Sequence, residues 1–171
     1  MFRNKSDLLL KSLQGFFLSK NGERMKEILP ILEGKSKLSL RLIDWFVTNF
    51  SKHQSTRIKY DNDSTHCIIY LDYKAQLKAF SKKQFDPFCR RNRIQFFYTD
   101  TDYIDTTIGQ LNFFRWALQK GILQYLQTHV QQIEKEMNLY HKRKSIMSSS
   151  SGNTIKTANK HKNVSIILTF E

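Results

Sequence analysis

Cysteine, glycine and acidic side chains are all in short supply, and each shortage removes a class of function. The two cysteines, Cys67 and Cys89, stand 22 residues apart with no CxxC or Cys/His spacing, so neither a zinc site nor a disulfide framework is expected. Both are flanked by apolar or aromatic residues, which reads as buried free thiols in a reducing compartment. The six glycines, at 15, 22, 34, 109, 121 and 152, stand alone. None opens the glycine-rich loop that cradles a nucleotide phosphate.

Carboxylates are too sparse for a two-metal centre, which needs them clustered. Asp100, Asp102 and Asp105 form the one tight group, and it reads as a polar loop leading into a helix cap. A calcium loop counted from Asp100 would want glycine and glutamate where Asp105 and Leu111 stand. The histidines, 53, 66, 129, 141 and 161, are scattered without a catalytic partner at recognisable spacing. No catalytic site, metal or cofactor is therefore expected. Long apolar runs are missing too: Leu8-Leu9-Leu10 ends at Lys11, which fits no signal peptide, and nothing approaches the roughly 18 apolar residues of a membrane span.

What the sequence has in quantity is apolar material and positive charge. With 171 residues, 40% hydrophobic and 13% aromatic, it can bury one real core, and a second domain of similar weight would leave both halves thin. Lys and Arg number 28 against 15 Asp and Glu, a formal charge of +13. Self-repulsion of that size is most easily tolerated when a polyanion binds, and nucleic acid is the commonest, with acidic lipid or an acidic protein surface as alternatives.

Periodicity predicts helices over 6–18, capped by Ser6, and over 23–32, stopped near Pro30 and Gly34. A third, 40–50, is capped by Ser39 and carries Leu42, Ile43, Phe46, Val47 and Phe50 on one face. The period then shortens, so 57–60 and 66–73 read as a β-hairpin about an Asp61–Ser64 turn. A short helix over 74–80, a corner at 85–88 imposed by Pro87, and a strand over 94–98 follow. Asp105 or Thr106 then caps a long helical region from 108 to about 141. Lys120-Gly121 interrupts it, either as a bend or as a tolerated mid-helix glycine. The fold class is α+β: N-terminal helices and a long C-terminal helical region packed on a small, mainly antiparallel sheet. The domain is placed at 1–144, with a possible helical subregion over 1–52. The Ser-, Asn- and Lys-rich stretch 145–163 reads as a flexible basic linker, and 164–171 as a strand returning to close the sheet.

Charge is densest over 74–93, where Lys74, Lys78, Lys82, Lys83, Arg90, Arg91 and Arg93 meet one acid, Asp86. Lys74, Lys78 and Lys82 are spaced by four and share a helical face, and the three arginines follow the corner. Neutralising phosphates in this way releases condensed counterions, which drives binding and makes it salt-sensitive. The corner either presents Lys82-Lys83 and Arg90-Arg91 to a phosphate backbone, or Asp86 pairs with one arginine and the corner closes the fold. The interleaved aromatics Tyr73, Phe80, Phe85, Phe88, Phe96 and Phe97 are read mainly as core rather than as base-stacking platforms. On the 110–116 stretch Gln110, Asn112 and Arg115 are candidate base contacts, crowded by Phe113, Phe114 and Trp116. A second basic run, Lys142-Arg143-Lys144, reads equally as a nuclear-localisation signal, a DNA-tracking arm or a solvated tail.

Three segments form a recognisable set: 38–52 (LSLRLIDWFVTNFSK), 73–91 (YKAQLKAFSKKQFDPFCRR) and 106–117 (TTIGQLNFFRWA). Together, over about 100 residues from 38 to 138, they resemble an uncharacterised family of basic proteins from nucleocytoplasmic large DNA viruses, the giant viruses of amoebae included. The resemblance implies a product acting inside the host cell, in a nucleus or a cytoplasmic viral factory, or packaged in the virion. It brings no activity and no catalytic residue. The expectation is a protein that binds nucleic acid, double-stranded DNA above all, in an architectural or transcription-related role. The rival is an interaction module that docks a host nuclear or viral protein through an exposed aromatic patch.

Overall fold

A computed structural model of the chain describes residues 4–59 and 66–150. Two compact units divide the chain, residues 1–138 and 139–171. The first is α+β, as expected. Its helices are α1 (Lys5–Leu18), α2 (Glu23–Leu32), α3 (Leu40–Trp45), the single turn α4 (Ser51–His53), α5 (Ile69–Gln84) and α6 (Ile108–Gln119). A further helix, α7 (Ile122–Ser150), begins in the first unit. Strands β1 (Arg57–Lys59) and β2 (His66–Ile68) pair antiparallel, as do β3 (Ile94–Phe97) and β4 (Tyr103–Thr106). The strands form two separate two-stranded ribbons rather than the single small sheet expected.

Local chemistry accounts for most helix ends. The Ser39 hydroxyl accepts from the Leu42 N–H at 3.1 Å and starts α3 as read. Asn4, not Ser6, caps α1 by accepting from the Asp7 N–H at 3.0 Å. Thr107, not Asp105 or Thr106, caps α6, because Tyr103–Thr106 is drawn into β4, while the helix begins at Ile108 as read. Gly121, at φ +65°, separates α6 from α7, so the interruption is a bend. Beyond α3 the backbone widens into a π-helical turn, Phe46–Phe50. Thr48 and Ser51 hydroxyls donate there to carbonyls four residues back, at 2.7 and 2.9 Å. The turn lets Trp45, Phe46, Val47 and Phe50 all face inward.

Three further readings are corrected. Strand β2 stops at Ile68 and 69–73 are helical, because Ile69 and Tyr73, one turn apart, both bury into the core. Tyr103–Thr106, read as a loop, is a strand in register with β3, Phe97 opposite Tyr103 and Ile94 opposite Thr106. Helix α7 runs through Ser150, past residue 145 where a linker was expected. The strand expected at 164–171 and the turn at 61–64 lie outside the described residues.

The core of the first unit is aromatic. Phe85 is 1% exposed, with its ring centroid within 6.4 Å of those of Tyr73, Phe80, Phe113 and Trp116. The corner residue is thus the centre of a ring cluster that joins α5 to α6. Among the six aromatics interleaved with the basic stretch, Tyr73, Phe85 and Phe96 are buried, Phe80 and Phe88 are half-buried, and Phe97 is exposed.

Candidate nucleic-acid interface

The basic stretch leaves the core on both sides of Phe85. Lys74 and Lys78 sit one turn apart on α5, both exposed. The predicted line of three lysines ends there: Ser81 takes φ +57° and ψ 168°, a conformation that a side chain disfavours, and breaks the helical register ahead of Lys82. Lys82, Lys83, Arg91 and Arg93 are exposed as well. Among the described residues none of these six cations forms an ion pair.

Arg90 behaves differently. Its guanidinium donates from Nε to Asp86 Oδ2 at 3.0 Å and from Nη2 to Oδ1 at 2.9 Å, and it lies 4.7 Å from the Phe88 ring centroid. Asp86 is 7% exposed and also accepts from the Phe88 N–H. The corner therefore realises the closing arrangement at this residue. Asp44, on α3, belongs to the same cluster. Burial pushes its carboxyl above the ordinary 3.8 and the negative charge of Asp86 adds to the effect, while Arg90 and Lys82 oppose it. Burial, followed by Asp44 and Asp86, pushes the Tyr73 phenol up to about 12.

The other member of each basic pair faces elsewhere. Lys83 and Arg91 line a cavity of about 790 Å³ together with Ser81, Gln84 and Asn92 from the corner, Asn4 and Ser6 from the start of α1, Ile94 from β3, and 107–109 from the start of α6. Among the described residues no carboxylate lines it. Its walls are tied across long sequence distances. Gln84 Nε2 donates to Ser6 Oγ at 2.9 Å, and Asn112 Nδ2 donates to the Gln84 carbonyl at 2.8 Å. The Asp86 N–H donates to the Gly109 carbonyl at 3.2 Å. A Cβ on Gly109 would stand 3.1 Å from the Lys83 carbonyl oxygen and 3.3 Å from the Phe85 nitrogen, so any side chain here would press the two backbones apart by a few tenths of an ångström.

The candidate base contacts on α6 are absorbed by this frame. Gln110 and Asn112 are 2% and 1% exposed. Gln110 Nε2 donates to the Pro87 carbonyl at 2.9 Å, and its Oε1 accepts from the Thr106 hydroxyl. Arg115 is half-buried and donates to Asn112 Oδ1 at 2.7 Å and to Ser12 Oγ at 3.0 Å. Burial lowers its pKa. These three side chains hold the corner and α1 in place rather than facing a groove. Sequence reading missed the structural part of Asn112 and Gln110, and the groove residues Gln84 and Asn92. Gly109, one residue into a helix, was the available signal of a close backbone approach.

Lys142, Arg143 and Lys144 are exposed on α7 within the second unit. Cys67 and Cys89 form no disulfide and are half-buried rather than buried, and His66 is exposed. Among the described residues no three His, Cys, Asp or Glu side chains are grouped to hold a metal ion. Asp102 instead accepts from the Thr99 hydroxyl at 2.9 Å inside the β3–β4 turn. No described helix is long and apolar enough to cross a membrane.

Fold and surface together define a helix-rich α+β protein with a basic corner built on an aromatic cluster. The chain belongs to a family of unknown function (DUF7197), whose model matches residues 1–167. It is also similar to an uncharacterized protein of Acanthamoeba polyphaga mimivirus, 38% identical over 128 residues. That match takes in 71% of this chain and 49% of the relative, so the chain spans about half the length of the curated protein it matches. The relative places a giant-virus protein beside this chain, in agreement with the resemblance carried by the three segments. No solved structure matches the chain.

Proposed function

We propose that this protein binds nucleic acid, double-stranded DNA in particular, through the phosphate backbone and without catalysing a reaction. The observation that carries this reading is that Lys74, Lys78, Lys82, Lys83, Arg91 and Arg93 are exposed and form no ion pair among the described residues, while Arg90 alone of the stretch is paired. Cations left unpaired at this density favour a polyanion that releases counterions on binding. Contacts of this kind position a protein without reading sequence, which fits an architectural or transcription-related role in a host nucleus or viral factory.

Titration of random-sequence duplex over a range of salt concentrations tests it. The expected slope of log K against log salt is about −0.9 for each phosphate engaged, approaching −5 if all six cations take part. Replacing Lys83 and Arg91 with Gln should flatten the slope by about 2, more than removing the chain after Arg143 does. Binding that ignores salt, or that falls only with the C-terminal deletion, overturns the reading.

One observation favours the second reading, a module that docks a protein. Phe97 and Tyr103, opposite each other on β3 and β4, are exposed with ring centroids 5.3 Å apart, and Asp100, Asp102 and Asp105 lie on the same ribbon. An aromatic pair beside acids suits a protein better than a phosphate backbone. Salt-insensitive capture of a protein, lost in Phe97→Ala, is the outcome that would favour it.

A further inference from the structure

The acid-free cavity at the corner has the character of a built site. Its volume of about 790 Å³ falls within the roughly 300–1,000 Å³ typical of small-ligand pockets. Two cations, Lys83 and Arg91, reach it from opposite flanks of the corner, and the amide of Asn92 and the apolar side chains of Ile94 and Ile108 line it with them. The frame is fixed without a ligand. Gln84 is held on one side by its bond to Ser6 and on the other by Asn112, and Gly109 seats α6 directly against the Lys83 carbonyl. Groups held in place beforehand lose little entropy when a ligand arrives, so the binding they offer is not spent on ordering them.

We propose that this groove binds a nucleoside 5′-phosphate, with Lys83 and Arg91 on the phosphate, Asn92 on the polar edge of the base and Ile94 and Ile108 against its apolar face. A phosphate suits the cation pair and the lack of carboxylates, because charge-assisted hydrogen bonds to it are unopposed. The rest of the lining, part apolar and part amide, suits a base and sugar rather than a bare anion. Two sources share this chemistry: a free nucleotide and the 5′-terminal nucleotide of a strand. The inference rests on the nucleic-acid reading above for the role of Lys83 and Arg91, and adds to it a discrete site that recognises an end.

The test compares adenosine 5′-monophosphate with adenosine by calorimetry, and a short single-stranded oligonucleotide carrying a 5′-phosphate with its 5′-hydroxyl twin by anisotropy. Both are run on the full chain. The expected result is roughly tenfold tighter binding of the phosphorylated member of at least one pair, the size of one charge-assisted contact. The mononucleotide pair reports the free source and the oligonucleotide pair the strand end. Lys83→Gln with Arg91→Gln should abolish the preference, whereas Lys74→Gln with Lys78→Gln, outside the groove, should weaken both oligonucleotides alike and keep it. All four residues are exposed, so an unchanged thermal melt confirms that each variant folds. Equal binding of both members of each pair, with duplex binding intact, overturns the groove and leaves the wider reading standing. Loss of all nucleic-acid binding in the unmodified chain sinks both.

Discussion

Arg90 is paired with Asp86, and Lys82, though it forms no ion pair, helps to oppose the rise in the Asp44 pKa, while their immediate neighbours Lys83 and Arg91 line a cavity in which no described carboxylate takes part. Each basic pair flanking the corner is split by the turn of the backbone, so side chains adjacent in sequence enter opposite electrostatic surroundings. On one side Asp44 and Asp86 are drawn in by the core, and Arg90 offsets the cost of burying Asp86. On the other, the same corner leaves its cations to solvent or to a ligand. A count of cations along the chain therefore overstates what is available to a polyanion, and the pairing of each one decides its use.

Substitutions at three positions break or sharpen this contrast. The largest effect is expected on the cavity side. Gly109→Val would press against the Lys83 and Phe85 backbone, which the bonds at Gln84 and Asp86 keep from yielding, and should destabilise the fold by about 1–3 kcal/mol. Gly109→Ala should cost less, since alanine regains up to about 1 kcal/mol of helix propensity. Urea denaturation measures both, and an unchanged midpoint for the valine variant would show that α6 is free to shift.

Asp86→Asn acts on the carboxylate side, and its effect should be near 1 kcal/mol because Arg90 is largely exposed and its pair is screened. Its sharper consequence is electrostatic. With the Asp86 charge gone, the Asp44 carboxyl should titrate lower, as carbon-detected NMR can follow, and Arg90 becomes a further cation for duplex, strengthening binding at low salt. A stationary Asp44 titration would show that the two carboxyls do not interact.

Asp44→Asn should have the smallest effect, and it depends on pH. The folded protein raises the Asp44 pKa above its ordinary 3.8, so the native state holds that proton more tightly than the unfolded chain. The stability this contributes is present below 3.8 and is lost as pH rises through the raised folded value. The asparagine variant has no such loss. Relative to the parent it should gain stability between about pH 3 and about pH 7, read from urea midpoints at the two ends. A difference that is flat with pH rules out the burial of this carboxyl as the cause.

The sequence was most legible where the chain argues with itself over a few residues. Ser39 as a cap, the span of α2 and the inward stripe at 42–50 follow from spacing and from short polar side chains that accept backbone N–H groups. It was least legible where a distant partner overrides local preference. Residues 69–73 carry the β-branched and aromatic signature of a strand, yet two of them complete the core as a helical turn. Tyr103–Thr106 looks like a loop, yet its backbone groups are satisfied by β3. Gln110, Asn112 and Arg115 have the chemistry of base contacts, and nothing local shows that they are bonded to Pro87, Gln84 and Ser12.

By itself the sequence determined a basic, helix-rich α+β chain with an aromatic core and a proline corner in its most positive stretch, because composition and period act over a turn or two of backbone. The tertiary structure decided which of those positive side chains are left unpaired. That choice depends on where Asp44, 38 residues before Lys82 and 42 before Asp86, and Gly109, well beyond them, come to rest against the corner. Electrostatic pairing and backbone contact are matters of distance in space, and no spacing along the chain encodes them.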